Sequence, residues 1–255
     1  MNRSRSGTAA AFAAAQAQAQ RRAIALDLGA PVAIRVSARA RRLLLRVDAA
    51  RRQIEVVLPS GVPPEQGVRF AEAQRGWIAA RLGALPMPVA FAEGAVVPVF
   101  GVPHRIRRYP DGVGPPVAIA NGEIRVRGRP EHVGRRVRDH LAHLAGAELS
   151  RRARAAAARV GRRVARVTIR DTTSRWGSCS AAGNLSFSWR LVLAPEAVVD
   201  YVVAHEVAHL VEMNHGPRFW ALVRTLHPDP AAARAWLQRH RSLLFSYGLK
   251  CRSYG

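Results

Sequence analysis

The segment YVVAHEVAHLVEMNHGPRFW, residues 201–220, places three histidines and a glutamate in a run that is otherwise mostly apolar. Positions four apart in a helix lie on the same face, so His205 and His209 can direct two imidazole nitrogens at one point. Glu206 lies beside this pair, where it could exchange a proton with a water molecule held by a metal ion. The segment therefore predicts a helix that carries a metal site and an acid–base residue.

A catalytic zinc site needs a third protein ligand and one open position. Glu212 lies seven residues after His205 and shares its helical face. His215 lies ten residues after His205 and can reach the metal only if the helix ends and the chain turns back. The sequence indicates such an end, because Asn214 can adopt the left-handed conformation and the Gly-Pro pair after His215 disfavours a continuous helix. We expect His215 to be the third ligand and Glu212 to be an outer partner or a surface acid.

The pattern His-Glu-x-x-His is the signature of zinc hydrolases. Without a partner, two histidines and a glutamate on an apolar helix would carry a large desolvation cost, which a bound metal removes. His140 and His143 also lie close in sequence, but no third ligand accompanies them, and we expect ordinary packing or surface roles there. Imidazole sites accept several divalent ions, so we predict one bound zinc ion, with another divalent metal as the alternative.

Composition limits the classes to which the chain can belong. Its 255 residues, 49% of them hydrophobic, suffice for a buried core, and no run of strongly apolar residues is long enough to predict a membrane span. The formal net charge is +23, and Lys250 is the only lysine, so nearly all of the positive charge comes from arginine. Such a surplus either attracts acidic partners or simply fills solvated faces. The two cysteines, Cys179 and Cys251, form no disulfide framework, which favours a cytoplasmic location.

The order of predicted elements is typical of an α+β protein. Residues 1–30 are rich in Ala, Gln and Arg, and we expect a disordered or frayed tail there. Residues 31–250 form the predicted domain. Its first part, 31–128, is mainly β and is expected to be an antiparallel region, while its second part, 129–250, is mainly helical and carries the histidines.

Apolar spacing predicts one helix over residues 65–82 and a long helix from Glu131 to about Val160. A strand is expected over Asn184–Leu193, directly before the helix that carries the histidines. The pair Asn121 and Gly122 predicts the tight turn of a hairpin. Two further helices are predicted around Phe219–Leu226 and Pro230–Phe245.

The run RWGSCSAAGNLSFSWRLVLAPEAVVDYVVAHEVAHLVEMNHGPRFW, residues 175–220, resembles the YgjP-like family of zinc metallopeptidases, relatives of SprT-like proteins in the zincin group. The similarity begins at about Arg35, continues through SARARRLLLRVD and LPSGVP, and ends at about Leu237. The motifs RWGSCS, NLSFSWRLVLAP, YVVAHEVAHL and NHGPRFW follow one another in the order typical of that family.

This resemblance implies a zincin-like α+β metallopeptidase domain. It also implies that His205, His209 and His215 hold the metal and that Glu206 is the general base. In zincins the strand ahead of the active-site helix pairs with an extended substrate, and the segment NLSFSWR occupies that place here. For RWGSCS two interpretations stay open: a loop beside the cleft, with an arginine for an anionic group, or a structural turn with a buried Cys179.

Three functions are compatible with these residues. The first, which we favour, is a zinc-dependent peptidase that acts on peptide or protein substrates. The second is a metal-dependent nucleoside triphosphate pyrophosphatase or phosphohydrolase, which the positive charge favours although no Walker-type phosphate loop is present. The third is a SprT-like protease associated with DNA, although the chain lacks a cysteine zinc ribbon and the interleaved aromatic and basic residues of single-strand binders.

Overall fold

A computed structural model describes residues 27–49, 51–110, 113–172 and 175–249 of the chain. They form two compact units, one ending at Pro86 and one beginning at Met87. The predicted tail falls mostly on residues 1–26, outside the described ranges, but Leu28 and Ala30 are buried in the core of the first unit. The predicted division between residues 128 and 129 falls inside the second unit.

The first unit is a three-stranded sheet with two helices. Its strands are β1 (Val32–Ser37), β2 (Leu44–Asp48) and β3 (Gln53–Pro59), in the order β1-β3-β2, and its helices are α1 (Pro64–Ala73) and α2 (Arg75–Gly83). β2 is antiparallel to β3, but β1 is parallel to β3. The prediction of an antiparallel region is therefore wrong for β1, because alternation of apolar residues sets which face is buried and not which way a strand runs.

Two helices replace the single helix predicted over residues 65–82. The backbone leaves the helical region at Gln74, whose φ is −101° and ψ is 17°. The N–H of Gln74 donates to the carbonyls of Phe70 and Ala71 and so closes the last turn of α1. The apolar positions behind the prediction, among them Ile78 and Leu82, still pack in the core of this unit.

The second unit begins with a four-stranded sheet in the order β4-β5-β7-β6. Its two hairpins, β4 with β5 and β6 with β7, are antiparallel, and the predicted turn at Asn121 and Gly122 is confirmed, with φ of 54° and 72°. β5 and β7 pair in parallel, so this sheet is also mixed rather than antiparallel. The strands are β4 (Val96–Val99), β5 (Val102–Tyr109), β6 (Val117–Ala120) and β7 (Glu123–Arg127).

A long helix, α3 (Val133–Arg159), forms the centre of the second unit after a 3-10 turn over Pro130–His132. One side chain in every four is buried, and because this spacing keeps one stripe of the helix facing inward, α3 packs along its whole length. Small residues in its last turns allow neighbouring elements to approach closely. The buried stripe consists of Val133, Val137, Leu141, Ala145, Leu149, Ala153 and Ala157.

A second sheet in this unit has the order β8-β10-β9, and three helices follow it. The strand predicted over Asn184–Leu193 is correct only to Ser188, because Trp189–Leu193 forms a 3-10 helix whose five side chains are all buried. In a segment whose side chains are all buried, apolar and polar residues do not alternate, so the sequence pattern cannot distinguish a strand from a helix. The elements are β8 (Arg166–Arg170), β9 (Gly177–Cys179), β10 (Asn184–Ser188), α4 (Glu196–Ala208), α5 (Pro217–Leu226) and α6 (Pro230–Ser246).

The predicted α+β class is confirmed by this combination of mixed sheets and helices. Within the described ranges, none of the helices has the length and apolar character needed to cross a bilayer.

The long helix provides a test of how the second unit is held together. Leu141 is fully buried, and Leu141→Ala should lower the free energy of unfolding by about 2–5 kcal/mol, through lost burial and the cavity left behind. Arg138→Ala, three residues earlier on the exposed side of α3, should change it by less than about 0.5 kcal/mol. Chemical denaturation followed by circular dichroism measures both, and equal effects would contradict the packing described.

Candidate metal centre

Helix α4 carries the first two histidines and is buried along most of its length. Val199, Val203 and Val207 are almost completely inaccessible, so the helix is fixed by packing rather than by its own surface. His205 lies in the last turn, and His209 follows the final helical residue as its C-cap. The helix therefore presents both imidazoles at the end from which the chain must leave.

The chain turns back directly after α4, but not in the predicted way. Val211 and Glu212 both donate their N–H groups to the carbonyl of Ala208, which tightens the helix end. Asn214 does not take the left-handed conformation, since it is absent from the described non-glycine residues with positive φ. The Gly-Pro pair acts instead at the start of α5, where Gly216 is the N-cap and the proline occupies the first turn.

This reversal brings the three predicted ligands together. The ring nitrogens of His205, His209 and His215 that could bind a metal all lie within 4.8 Å of one another. The Nε2 atoms of His205 and His215 are 3.2 Å apart. Two nitrogens bound to one tetrahedral zinc at about 2.0–2.1 Å are separated by about 3.3–3.4 Å. The spacing of these two nitrogens therefore fits a shared zinc ion.

The pKa values of two of the histidines favour the neutral form that binds a metal. Burial lowers the pKa of His205 to about 4, with further lowering from the neighbouring His209 and His215. Burial also lowers the pKa of His209. A metal binds the neutral imidazole, so these two side chains are already in the binding form at neutral pH.

Glu212 contacts the histidine cluster through its backbone carbonyl and not through its carboxylate. The carbonyl oxygen of Glu212 lies 3.1 Å from Nδ1 of His209. An Nδ1–H that donates to this carbonyl leaves Nε2 of His209 free for the metal, as is usual for metal-binding histidines. Among the described residues the group that could hold a metal ion consists of the three histidines without Glu212. The expected role as an outer partner is thus met by a main-chain atom.

Phe219 supports all three imidazoles, a role that the sequence pattern did not indicate. Its side chain is fully buried in α5. Its ring centroid lies 4.9 Å from that of His205, 4.5 Å from that of His209 and 4.6 Å from that of His215. One aromatic side chain therefore fixes the orientation of every histidine in the cluster. The only signal in the sequence is its place in the first turn of the helix after the Gly-Pro pair.

Glu206 is buried beside the cluster, with 6% of its surface exposed. Burial raises the pKa of Glu206 to about 7, and the nearby Arg175 guanidinium opposes that rise. A β-carbon on Gly177 would lie 2.5 Å from Oε1 of Glu206. Position 177 therefore has to be glycine if the carboxylate is to keep its place, which gives a physical reason for the glycine of RWGSCS.

The rest of RWGSCS combines the two roles that the sequence left open. The indole of Trp176 stacks on Phe245, with ring centroids 4.9 Å apart, so this residue is structural. Arg175 and Gly177 line a cavity of about 310 Å³ together with His205 and Glu206. Burial raises the pKa of the Cys179 thiol, with a smaller contribution from the nearby Glu206 carboxylate. Cys179 is therefore a partly buried thiol and not a thiolate ligand.

Substrate pairing along NLSFSWR, which the resemblance implied, is contradicted by the sheet order. β10 has β8 on one side and β9 on the other, so it has no free edge. The edge beside α4 belongs to β9. Trp176 and Ser180 bond to β10 through their backbone groups, and alternation along an antiparallel ladder therefore turns the N–H and C=O groups of Gly177 and Cys179 toward the free edge.

Other histidines stay apart from this centre. His140 and His143 lie on α3, and within the described ranges they belong to no group of three potential ligands. His227 is buried and bonds through Nε2 to the carbonyl of Ala197 at 2.8 Å. The positions of His140 and His143 agree with the packing or surface roles expected for them, and His227 has a structural role as well.

An α+β unit that brings three imidazoles together beside a buried carboxylate has the arrangement of a metal-dependent hydrolase. A family model described as YgjP-like, metallopeptidase domain, matches residues 41–240, and the chain belongs to this YgjP-like family. The resemblance seen in the sequence is thereby confirmed. Comparison with curated proteins and with solved structures found no match.

Loss of the third histidine should weaken metal binding. Because His215 joins the cluster from the loop after α4, His215→Ala removes one ligand without altering the helix. We expect the dissociation constant for zinc to rise by more than the 10- to 100-fold typical of losing an outer partner. Competition with a chromophoric chelator measures it. His143→Ala, an exposed histidine of α3, is the matched control, and an equal effect of both changes would refute the assignment.

Proposed function

We propose that the protein is a zinc-dependent peptidase in which His205, His209 and His215 hold the metal and Glu206 is the acid–base residue. The observation that carries this proposal is the convergence of three imidazoles within 4.8 Å next to a buried carboxylate. A divalent cation in such a site supplies a water of lowered pKa and polarises a carbonyl group. Zincin-like is the fold that we propose for the second unit.

Glu206 is placed to move the proton. Within the described residues no hydrogen-bond donor occupies its carboxylate, and the side chain faces the cavity that His205 also lines. An unoccupied carboxylate can accept the proton from the attacking water and then donate it to the amine that leaves the scissile bond. Arg175, whose charge acts on this carboxylate, favours its ionised form and so keeps it ready to accept.

The edge of β9 gives a peptide a place to bind. Within the described residues the outward N–H and C=O groups of Gly177 and Cys179 have no backbone partner. They can pair with an extended main chain, which adds a strand to the sheet. Gly177 also touches Glu206, so a peptide paired there would lie with its backbone next to the acid–base residue. Recognition of a main chain by a sheet edge favours a peptide over a nucleotide as substrate.

Replacing the proposed base separates metal binding from catalysis. Glu206→Gln keeps the size of the side chain but cannot accept a proton, so zinc content should be unchanged while kcat for peptide hydrolysis falls by roughly 100- to 10,000-fold. Atomic absorption and a fluorogenic peptide assay measure the two quantities. Full activity in this variant would show that another group is the base. Phosphate release from nucleoside triphosphates, with peptides left intact, would overturn the peptidase assignment.

The glycine next to the carboxylate gives a second prediction. Gly177→Ala should force the Glu206 carboxylate to move, because the new β-carbon would lie 2.5 Å from its Oε1. A displacement of about 1 Å can cost on the order of 100-fold in rate, so we expect kcat to fall by this order while zinc affinity stays the same. Gly76→Ala is the control, since a β-carbon there meets no atom within 4 Å. Unchanged kcat in Gly177→Ala would contradict the proposed position of the base.

A further inference from the structure

The cavity beside the metal centre has one wall that the proposed chemistry does not use. Its lining includes Gly177, His205 and Glu206, which belong to the reaction. The lining also includes α6, which contributes Arg234, Leu237, Gln238 and Arg241. These positions recur at the spacing of one helical face, so α6 presents a continuous surface to the space next to the reacting groups.

The charge of this surface is strongly positive. Arg175, Arg234 and Arg241 line the cavity, and Glu206 is the only carboxylate among the residues around it. If Glu206 is the acid–base residue, its charge is required for the reaction and does not balance the arginines permanently. An anion of the substrate would therefore be attracted to this space.

Two of these arginines form no close ion pair within the part of the chain that the structure describes, although Arg175 acts on the Glu206 carboxylate at longer range. Neither Arg175 nor Arg234 forms an ion pair there, and the guanidinium of Arg234 lies 5.9 Å from the centroid of the Trp220 ring. Arg152, by contrast, is used structurally, since it bonds to Glu148 and Asp200 and is only 11% exposed. The cavity thus holds arginines that the fold itself does not need for charge pairing.

Size and shape limit the anion. A volume of about 310 Å³ is at the small end of ligand pockets, which suits a single residue. Trp176, Tyr201 and Leu237 add apolar surface, against which the methylene groups of a side chain can pack. Arginine matches a carboxylate with two parallel hydrogen bonds.

We propose that this cavity binds a carboxylate of the residue next to the scissile bond, so that the substrates are peptides with an acidic group at that position. This inference rests on the proposed peptidase function and names its substrate class. The carboxylate is supplied either by an aspartate or glutamate side chain or by the C-terminus of the peptide. Arg234 is the specificity-determining residue, because it lines the cavity from α6 and forms no ion pair within the described residues.

The test uses the full-length zinc-loaded protein and sets of fluorogenic peptides that differ only at the residues flanking the cleaved bond. Glutamate is compared with glutamine at each position, and a free C-terminus is compared with an amide. The ratio of kcat/KM for glutamate over glutamine should be on the order of tenfold or more, as expected for a charged hydrogen bond in a partly enclosed site. A preference for the free C-terminus alone would identify the terminal carboxylate as the group that is bound.

Variants distinguish the cavity from the overall positive charge. Arg234→Gln should reduce the glutamate-to-glutamine ratio toward one. Arg239→Gln removes the same charge from an exposed position of the same helix that does not line the cavity, and it should keep the ratio. An equal loss in both variants would overturn the proposal, because long-range attraction alone would then explain the preference.

The experiments distinguish a cavity that does not bind a carboxylate from a protein that is not a peptidase. Peptide cleavage with no preference for either carboxylate would leave the peptidase standing and refute the pocket. If no peptide is cleaved, calorimetric binding of the same peptides to Glu206→Gln decides. Binding that prefers glutamate and depends on Arg234 supports the pocket independently of catalysis, and equal binding of both peptides refutes it.

Discussion

The site depends on a reversal of the chain within a few residues of the end of α4. A helix alone brings only His205 and His209 to one point, and His215 joins them because the backbone tightens at Ala208 and turns back. Phe219, at the start of the next helix, packs against all three rings and holds the reversal in place. Removing either the tight turn or this aromatic contact would leave two imidazoles without a third.

Burial of α4 fixes the position of that reversal, and charges outside the cavity help to fix the helix. Arg152 of α3 bonds to Glu196 and Asp200 in the first turns of α4. These contacts hold the start of α4 against α3, while its valines fix the middle in the core. The end that carries the histidines therefore needs few polar contacts of its own, and the neutral forms of His205 and His209 are favoured by the same burial.

Much of the site could be predicted because its signal is local in the chain. The spacing of His205, Glu206 and His209 specifies a helical face, and the turn at Asn121 and Gly122 follows from residue types that tolerate positive φ. The α+β class also followed from element order. What could not be predicted depends on contacts between distant segments: the parallel pairing of β1 with β3, the 3-10 helix after Ser188, and the approach of Gly177 to Glu206.

The free edge of β9 shows why such contacts matter for function. Sequence order and the family resemblance pointed to β10 as the substrate strand, since it comes directly before α4. In the sheet, β10 is the central strand. The short strand β9 lies beside it, on the edge that faces the metal site. A substrate strand would consequently pair with a segment that contains Gly177, and Arg175, two residues earlier, lines the cationic cavity. Main-chain recognition, the acid–base carboxylate and selection of an acidic group would then all involve this one segment. Such a combination would account for the arginine and the glycine of RWGSCS, while Trp176 holds the segment in place by stacking on Phe245.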